Sequence, residues 1–215
     1  SHELRTPLMS ISGYAQGIQR GVFEDVSQAA GVILDESSRL TEVVDGILTL
    51  TRMDQMRYQV VPVEMEIREY IEDQIERLEG LAYQKKIKME FLPGDEHKII
   101  SDVMLLGRAF SNVTSNCIRY AKEKVVISVE TAEERLKITI RDDGPGIAEA
   151  DLPHLFDRFY KGKNGNHGLG LSIAKRSMEY MGGDIVAETS LEGAVFTIIL
   201  PQDCRSFAVE EWTEM

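Results

Sequence analysis

Apolar side chains recur every three or four positions at the start of the chain: Leu4, Leu8, Ile11, Ala15 and Ile18 share one helical face. A connection follows at Gly21-Val22-Phe23-Glu24-Asp25, where Gly21 is a helix stop. From Val26 to about Arg57 a second helix is predicted. It sets Ile33, Leu40 and Ile47 seven apart, with Val43 and Leu50 interleaved, the spacing of a short a/d seam. A hairpin of two such helices cannot bury both seams alone. Two hairpins in a four-helix bundle can, so a homodimer is expected.

The helical period breaks at Val60-Val61-Pro62-Val63, and helices and strands alternate beyond it. A helix is predicted from Glu64 to about Lys85 through Ile67, Ile71, Ile75 and Leu78. A short strand, Ile87 to Leu92, ends at Pro93-Gly94, and another helix runs from about Asp102 to Ala121. Strands follow at Val125 to Glu130, Leu136 to Arg141, Asp184 to Thr189 and Ala194 to Leu200, the last two joined at Leu191-Glu192-Gly193. The fold class expected is α+β: a helical hairpin over residues 1–59, a two-layer α/β sandwich over 60–203, and an acidic tail over 204–215 whose Trp212 has no assigned role.

The chain has 215 residues, 43% hydrophobic and 28% charged, enough for two small folded domains. A net charge of -12 and a pI near 4.9 argue against a nucleic-acid-binding surface. Cys117 and Cys204 form no CxxC pair and point to a reducing compartment. No run of 18 apolar residues and no signal peptide is present. The chain opens at Ser1, without Met, inside a helical pattern, and so reads as a fragment excised from a longer protein.

The chemistry concentrates in two glycine-rich stretches, Asp142-Asp143-Gly144-Pro145-Gly146-Ile147 and Gly165-Asn166-His167-Gly168-Leu169-Gly170-Leu171. The first follows a strand and the second opens a helix. Glycine lets backbone N–H groups approach ligand oxygens closely, and a helix N-terminus favours negative charge, so the two form a cradle for a phosphorylated ligand. On the helix before them, Asn112 and Asn116 stand at i and i+4 on one face, followed by Arg119 and Tyr120. An amide oxygen together with ligand phosphates suits Mg²⁺, which takes hard oxygen ligands and keeps several waters. Arg119 can pair with a phosphate and Tyr120 can stack on a base. Taken alone, the two asparagines are better explained as hydrogen-bonding within a helix–sheet interface.

Taken in order, these motifs resemble the sensor histidine kinases of two-component systems. Asn112-x3-Asn116-x2-Arg119-Tyr120 is similar to their N box, and Asp142-x-Gly144-x-Gly146 and Gly168-x-Gly170-Leu171 to the two glycine boxes of the Bergerat-type ATP-binding fold. Phe156-Asp157-Arg158-Phe159-Tyr160 resembles the F box, and Ser1-His2-Glu3-Leu4-Arg5-Thr6-Pro7-Leu8 the H box. One glycine box is a weak signal; five motifs in the family's order are a strong one.

The resemblance implies that Asp142 accepts from the exocyclic amine of adenine, although Asp before Gly also caps turns. Gly144 and Gly146 let the backbone pass the nucleotide, while Gly168, Leu169 and Gly170 line its phosphates. It implies Asn116 as the Mg²⁺ ligand with Asn112 assisting, phosphate contacts from Arg119 and Lys161, and an ATP lid from Ile147 to His167. His2 is the implied phosphoacceptor; its imidazole is partly deprotonated near neutrality and able to attack the γ-phosphate. Glu3 orients the ring or takes its proton, and Thr6, one turn on, implies phosphatase activity toward a partner regulator. Pro7 leaves the Glu3 carbonyl without its helical donor. His97, His154 and His167 read as surface or loop residues.

The implied partners are a response regulator receiver domain and a second copy of the chain. The implied place is the cytoplasmic portion of a membrane-bound bacterial sensor. Cys117 departs from the family, which usually has a small Ala there, and brings a thiol to the pocket. Two other readings are a nucleotide-sensing scaffold, against which the intact boxes count, and a different ATPase of the same fold. The latter needs an acid where this chain has Asn112, and leaves His2 without a role.

Overall fold

A computed structural model describes residues 2–55, 58–92, 94, 96–132, 135–161 and 168–208. The chain forms two compact units, residues 1–55 and 56–215. The division falls before the expected boundary at 59, because Tyr58 already belongs to the second unit, its hydroxyl 3.4 Å from both carboxylate oxygens of Asp102.

The first unit is the predicted hairpin of α1 (His2–Gln19) and α2 (Val26–Asp54). Gly21 takes a positive φ of 66°, which ends α1. The Asp25 side chain caps α2 by accepting from Gln28 N–H at 2.9 Å. In the connection the Phe23 ring stacks on Tyr14, centroids 5.3 Å apart, over Gly17, where an added Cβ would meet that ring at 2.3 Å. The seam differs from the expectation. Ala29, Val43, Gly46, Leu50 and Met53 are the buried positions of α2, while Ile33, Leu40 and Ile47 are half-buried beside them. Next to that row Leu34, Val44 and Leu48 stand exposed, at 68%, 41% and 48%. The apolar arc of α2 is therefore wider than one seam: one side of it is buried and the other stands exposed.

In the second unit, β1 (Val63–Glu66) precedes α3 (Ile67–Lys85), then come β2 (Lys88–Leu92), β3 (Lys98–Ser101) and α4 (Val103–Tyr120). After these follow β4 (Lys124–Ala132), β5 (Arg135–Asp142), a short 3-10 turn at Leu152–His154, α5 (Gly170–Glu179), β6 (Asp184–Ser190), β7 (Gly193–Pro201) and α6 (Arg205–Ala208). Five strands make one sheet in the order β2-β4-β5-β7-β6, with β2 parallel to β4 and the rest antiparallel. Alternation places Val125, Ile127, Leu136, Ile138, Ile140, Phe196 and Ile198 on the buried face. Leu105, Leu106, Ala109, Phe110 and Val113 of α4 are buried as well, giving the predicted two layers.

Two short strands escape the periodicity. Residues 64–66 belong to β1, paired antiparallel with β3, and not to the helix. Glu66 ends the strand and caps α3, its carboxylate accepting from Glu69 N–H at 2.8 Å. The tail also begins later than expected: Cys204 N–H donates to Ile100 O at 2.9 Å and Phe207 packs against Gly182, so residues 204–208 belong to the fold. Trp212 lies outside the described residues.

Candidate functional site

The two glycine stretches and the asparagine helix converge at one end of the sheet. β5 ends at Asp142, whose carboxylate is only 3% exposed. Its Oδ1 accepts from Gly144 N–H at 2.9 Å and from Ala194 N–H at 3.2 Å. Burial raises its pKa above the ordinary carboxylate range, opposed by those two N–H donors and by the Cys117 thiol. Cys117 is buried on α4, and burial together with the neighbouring Asp142 charge raises its thiol as well. The residue that departs from the family is thus in contact with the proposed adenine-reading carboxylate.

Asp143 has a different task. Its carboxylate accepts from the N–H groups of Lys122, Glu123 and Lys124 at 2.8 to 3.2 Å, tying the α4–β4 connection to the end of β5. Burial opposes its ionisation, but those backbone donors outweigh it and lower the pKa.

Close approach explains the glycines. A Cβ at Gly144 would sit 2.4 Å from Tyr120 O, so the first glycine box presses on the end of α4. Gly146 has φ +75°, and a Cβ there would meet Thr189 Oγ1 at 2.5 Å. That hydroxyl accepts from Ile147 N–H at 3.0 Å. Gly170 opens α5 against Asn112: its Cβ would stand 2.7 Å from Asn112 Oδ1. The first and second boxes therefore both abut α4.

On α4, Asn112 Nδ2 donates to Arg108 O at 2.8 Å, which turns Oδ1 toward the start of α5. Asn116, one turn on, is half-buried, and its amide makes no hydrogen bond among the described residues. An uncommitted amide beside another whose oxygen faces a helix N-terminus fits a Mg²⁺–phosphate group through hard oxygen donors. Arg119 is exposed in the last turn of α4, and Tyr120 is half-buried.

The segment expected as a lid is anchored on its N-terminal side, over residues 151–160. Phe156 lies over the Lys175 ammonium, 5.2 Å from ring centre to nitrogen, and Lys175 is held by Asp184 and by Ile185 O. Tyr160 donates to Asp151 at 2.7 Å, and His154 Nδ1 is 2.9 Å from Asp157. Phe159 N–H donates to Gly168 O at 2.7 Å, closing the neck of the loop; both residues have positive φ, 65° and 67°. Lys161 is half-buried just inside that neck. The Lys163 to His167 run lies outside the described residues, as do the side chains of His2 and Glu3; Thr6 is exposed on α1.

Thr189, Gly193 and Ala194 support the site without having been singled out for it. A Cβ at Gly193, φ +140°, would meet Asp142 O at 2.0 Å. They lie on the β6–β7 hairpin, and only the turn glycine gave any sequence signal. A hollow of about 590 Å³ lined by Lys124, Val126, Thr139 and Arg141 opens on the other face of the sheet and reaches Asp142 and Asp143 at the end of β5.

Two family models match the chain. The one described as the His Kinase A (phospho-acceptor) domain matches residues 1–55. The one described as the histidine kinase-, DNA gyrase B-, and HSP90-like ATPase matches residues 101–203. The sensor histidine kinase CssS of Bacillus subtilis is 34% identical over 210 residues, covering 94% of this chain and 45% of CssS. Among solved structures, the Acinetobacter baumannii histidine kinase AdeS matches with a TM-score of 0.82 at 26% identity, over 94% of this chain and 98% of that one. Histidine kinase ThkA, in complex with response regulator protein TrrA, shares the fold with a TM-score of 0.79 at 23% identity, over 94% of this chain and 60% of that one. The chain spans less than half the length of the curated relatives it matches.

Proposed function

The chain belongs to the sensor histidine kinases of two-component systems, and from that premise we propose that it binds Mg²⁺·ATP, phosphorylates His2 and passes the phosphoryl group to an Asp of a response regulator receiver domain. The convergence of Asp142, Gly144, Gly170, Asn112 and Asn116 on the ends of α4 and α5 carries the reading.

In this reading Asp142 accepts from the adenine amine, its carboxylate held by the Gly144 and Ala194 N–H groups. The phosphates run toward the α5 N-terminus, where free N–H groups and the helix dipole favour negative charge. Asn116, assisted by Asn112, would hold Mg²⁺, which when bound neutralises charge on the phosphate oxygens. Arg119 and Lys161 supply cationic contacts. A ring nitrogen of His2 attacks the γ-phosphorus as the bond to the β–γ bridging oxygen breaks, ADP leaves, and Glu3 takes or holds the ring proton. Positioning and charge neutralisation account for most of the rate. Thr6, exposed one turn from His2, suits a second activity, placing water for dephosphorylation of the regulator.

Two copies of the chain form the working unit. The exposed Leu34, Val44 and Leu48 beside a half-buried apolar row are what a four-helix bundle covers. That ThkA is seen with a response regulator supports the same class of partner here. Among the described residues no helix is long and apolar enough to cross a membrane; attachment of a membrane-bound parent, with this portion on the cytoplasmic side, would lie in other segments. ATP titration of wild type against Asp142→Ala and Asn116→Asp tests the site: both variants weaken binding at least about 10-fold, the scale of one lost charge-assisted contact. Unchanged affinity in both sinks the assignment.

A further inference from the structure

Tyr58 lies between the two family matches, claimed by neither, at the point where the chain leaves the hairpin unit. It is engaged on three sides. Its hydroxyl is 3.4 Å from both carboxylate oxygens of Asp102, which is 2% exposed. The Arg108 guanidinium lies over its ring at 6.0 Å, and its edge meets the Tyr180 ring at 6.0 Å and 70°. Tyr180, the C-cap of α5, is itself covered by Arg176 at 5.2 Å. Burial, and then the Asp102 charge, raise the phenol's pKa, so it remains a donor.

Each neighbour leads to the nucleotide site. Asp102 is the N-cap of α4, accepting from Met104 N–H at 2.9 Å and Leu105 N–H at 3.0 Å as well as from Val61 N–H. Arg108 supplies the carbonyl that fixes the Asn112 side chain. Asn112 Oδ1 in turn touches the place where α5 begins, at Gly170. The two helices that carry the asparagines and the second glycine box thus meet at Asn112 and Gly170, and are bridged again by Tyr58 near the start of α4 and the end of α5.

We propose that Tyr58 is a positioning residue for the nucleotide site, bridging α4 and α5 so that Asn112 and Asn116 are held for the metal-bound phosphates. The inference rests on the reading of the site as one for Mg²⁺·ATP. Its signature is selectivity. Tyr58 bears on the asparagine side of the site, whereas the adenine-reading carboxylate is held by Gly144, Ala194 and Cys117, which Tyr58 does not touch.

Calorimetric titration with ATP, once with Mg²⁺ and once with EDTA, separates the two sides. Tyr58→Ala raises Kd for Mg²⁺·ATP about 5-fold, a typical effect for a residue that touches no ligand, and changes Kd for metal-free ATP less than about 2-fold. Tyr58→Phe keeps the ring contacts, loses only one long hydrogen bond shared between two carboxylate oxygens, and stays within about 2-fold of wild type in both. Equal weakening of both forms in Tyr58→Ala would mean general loosening of the fold and overturn the proposal. So would an unchanged Mg²⁺·ATP affinity in a folded variant that binds metal-free ATP. If the wild type binds ATP in neither condition, the site reading itself fails and the inference falls with it.

Discussion

Two adjacent aspartates show how burial decides a residue's role. Asp142 is buried, and its pKa lies above that of the unfolded chain. Its contribution to stability is therefore favourable below the unfolded pKa and is lost as pH rises through the raised value. Asp142→Asn keeps an oxygen to accept from Gly144 and Ala194 but carries no charge to desolvate. Scanning calorimetry at pH 7 should show a higher Tm for the variant, a difference that disappears as pH falls into the carboxylate range, while ATP affinity drops. Asp143 has the opposite sign. Its lowered pKa gives stability that is present above the unfolded value and lost as pH falls through the folded one. Asp143→Ala removes the acceptor of three backbone donors and should cost about 1–2 kcal/mol at neutral pH, and less in acid, by urea denaturation. The Asp-x-Gly-x-Gly resemblance marked Asp142 as the ligand reader in the sequence, but left Asp143 without a role. The pleat supplies that role, turning Asp142 inward and Asp143 toward the α4–β4 connection.

At the scale of elements, a neck pins the proposed lid where Phe159 meets Gly168. Phe159 and Gly168 both adopt the left-handed region and share a 2.7 Å hydrogen bond. A Cβ at Gly168 would lie 2.4 Å from Tyr160 O and 2.5 Å from Phe159 C, backbone atoms that cannot move aside. Gly168→Ala should open the neck at a cost of about 1–3 kcal/mol and weaken nucleotide binding by 10-fold or more, read by ATP titration. The helices α3, α4 and α5 and the long strands were legible because their apolar period is sustained. β1 and β3 were not: each has four residues and is defined by pairing with the other, a relation that no local period carries. The hydrogen bonds from the β6–β7 hairpin to Asp142 and Ile147 were invisible for the same reason, lying some 40 to 50 positions away along the chain.

For the whole molecule, the hairpin leaves Leu34, Val44 and Leu48 exposed, the stripe that the proposed dimer would cover. The period of α2 marked one seam, Ile33, Leu40 and Ile47 with Val43 and Leu50 interleaved, and did not single out the large side chains Leu34 and Leu48 beside it. The structure buries the row with Val43 and Leu50, together with Gly46, and leaves Leu34 and Leu48 outside. Burying a leucine contributes about 1.5–3 kcal/mol, so Leu34→Glu with Leu48→Glu should convert a dimer into a 24.2 kDa monomer in sedimentation equilibrium. A dimer that survives both changes would place the interface elsewhere.

The most direct measurement is incubation with γ-labelled ATP and Mg²⁺, comparing wild type with His2→Ala and Asn116→Asp. Label stable to alkali, lost in acid and absent from both variants is the result expected of a histidine kinase. Label that persists in His2→Ala, or a wild type that binds ATP and is never labelled, would contradict it.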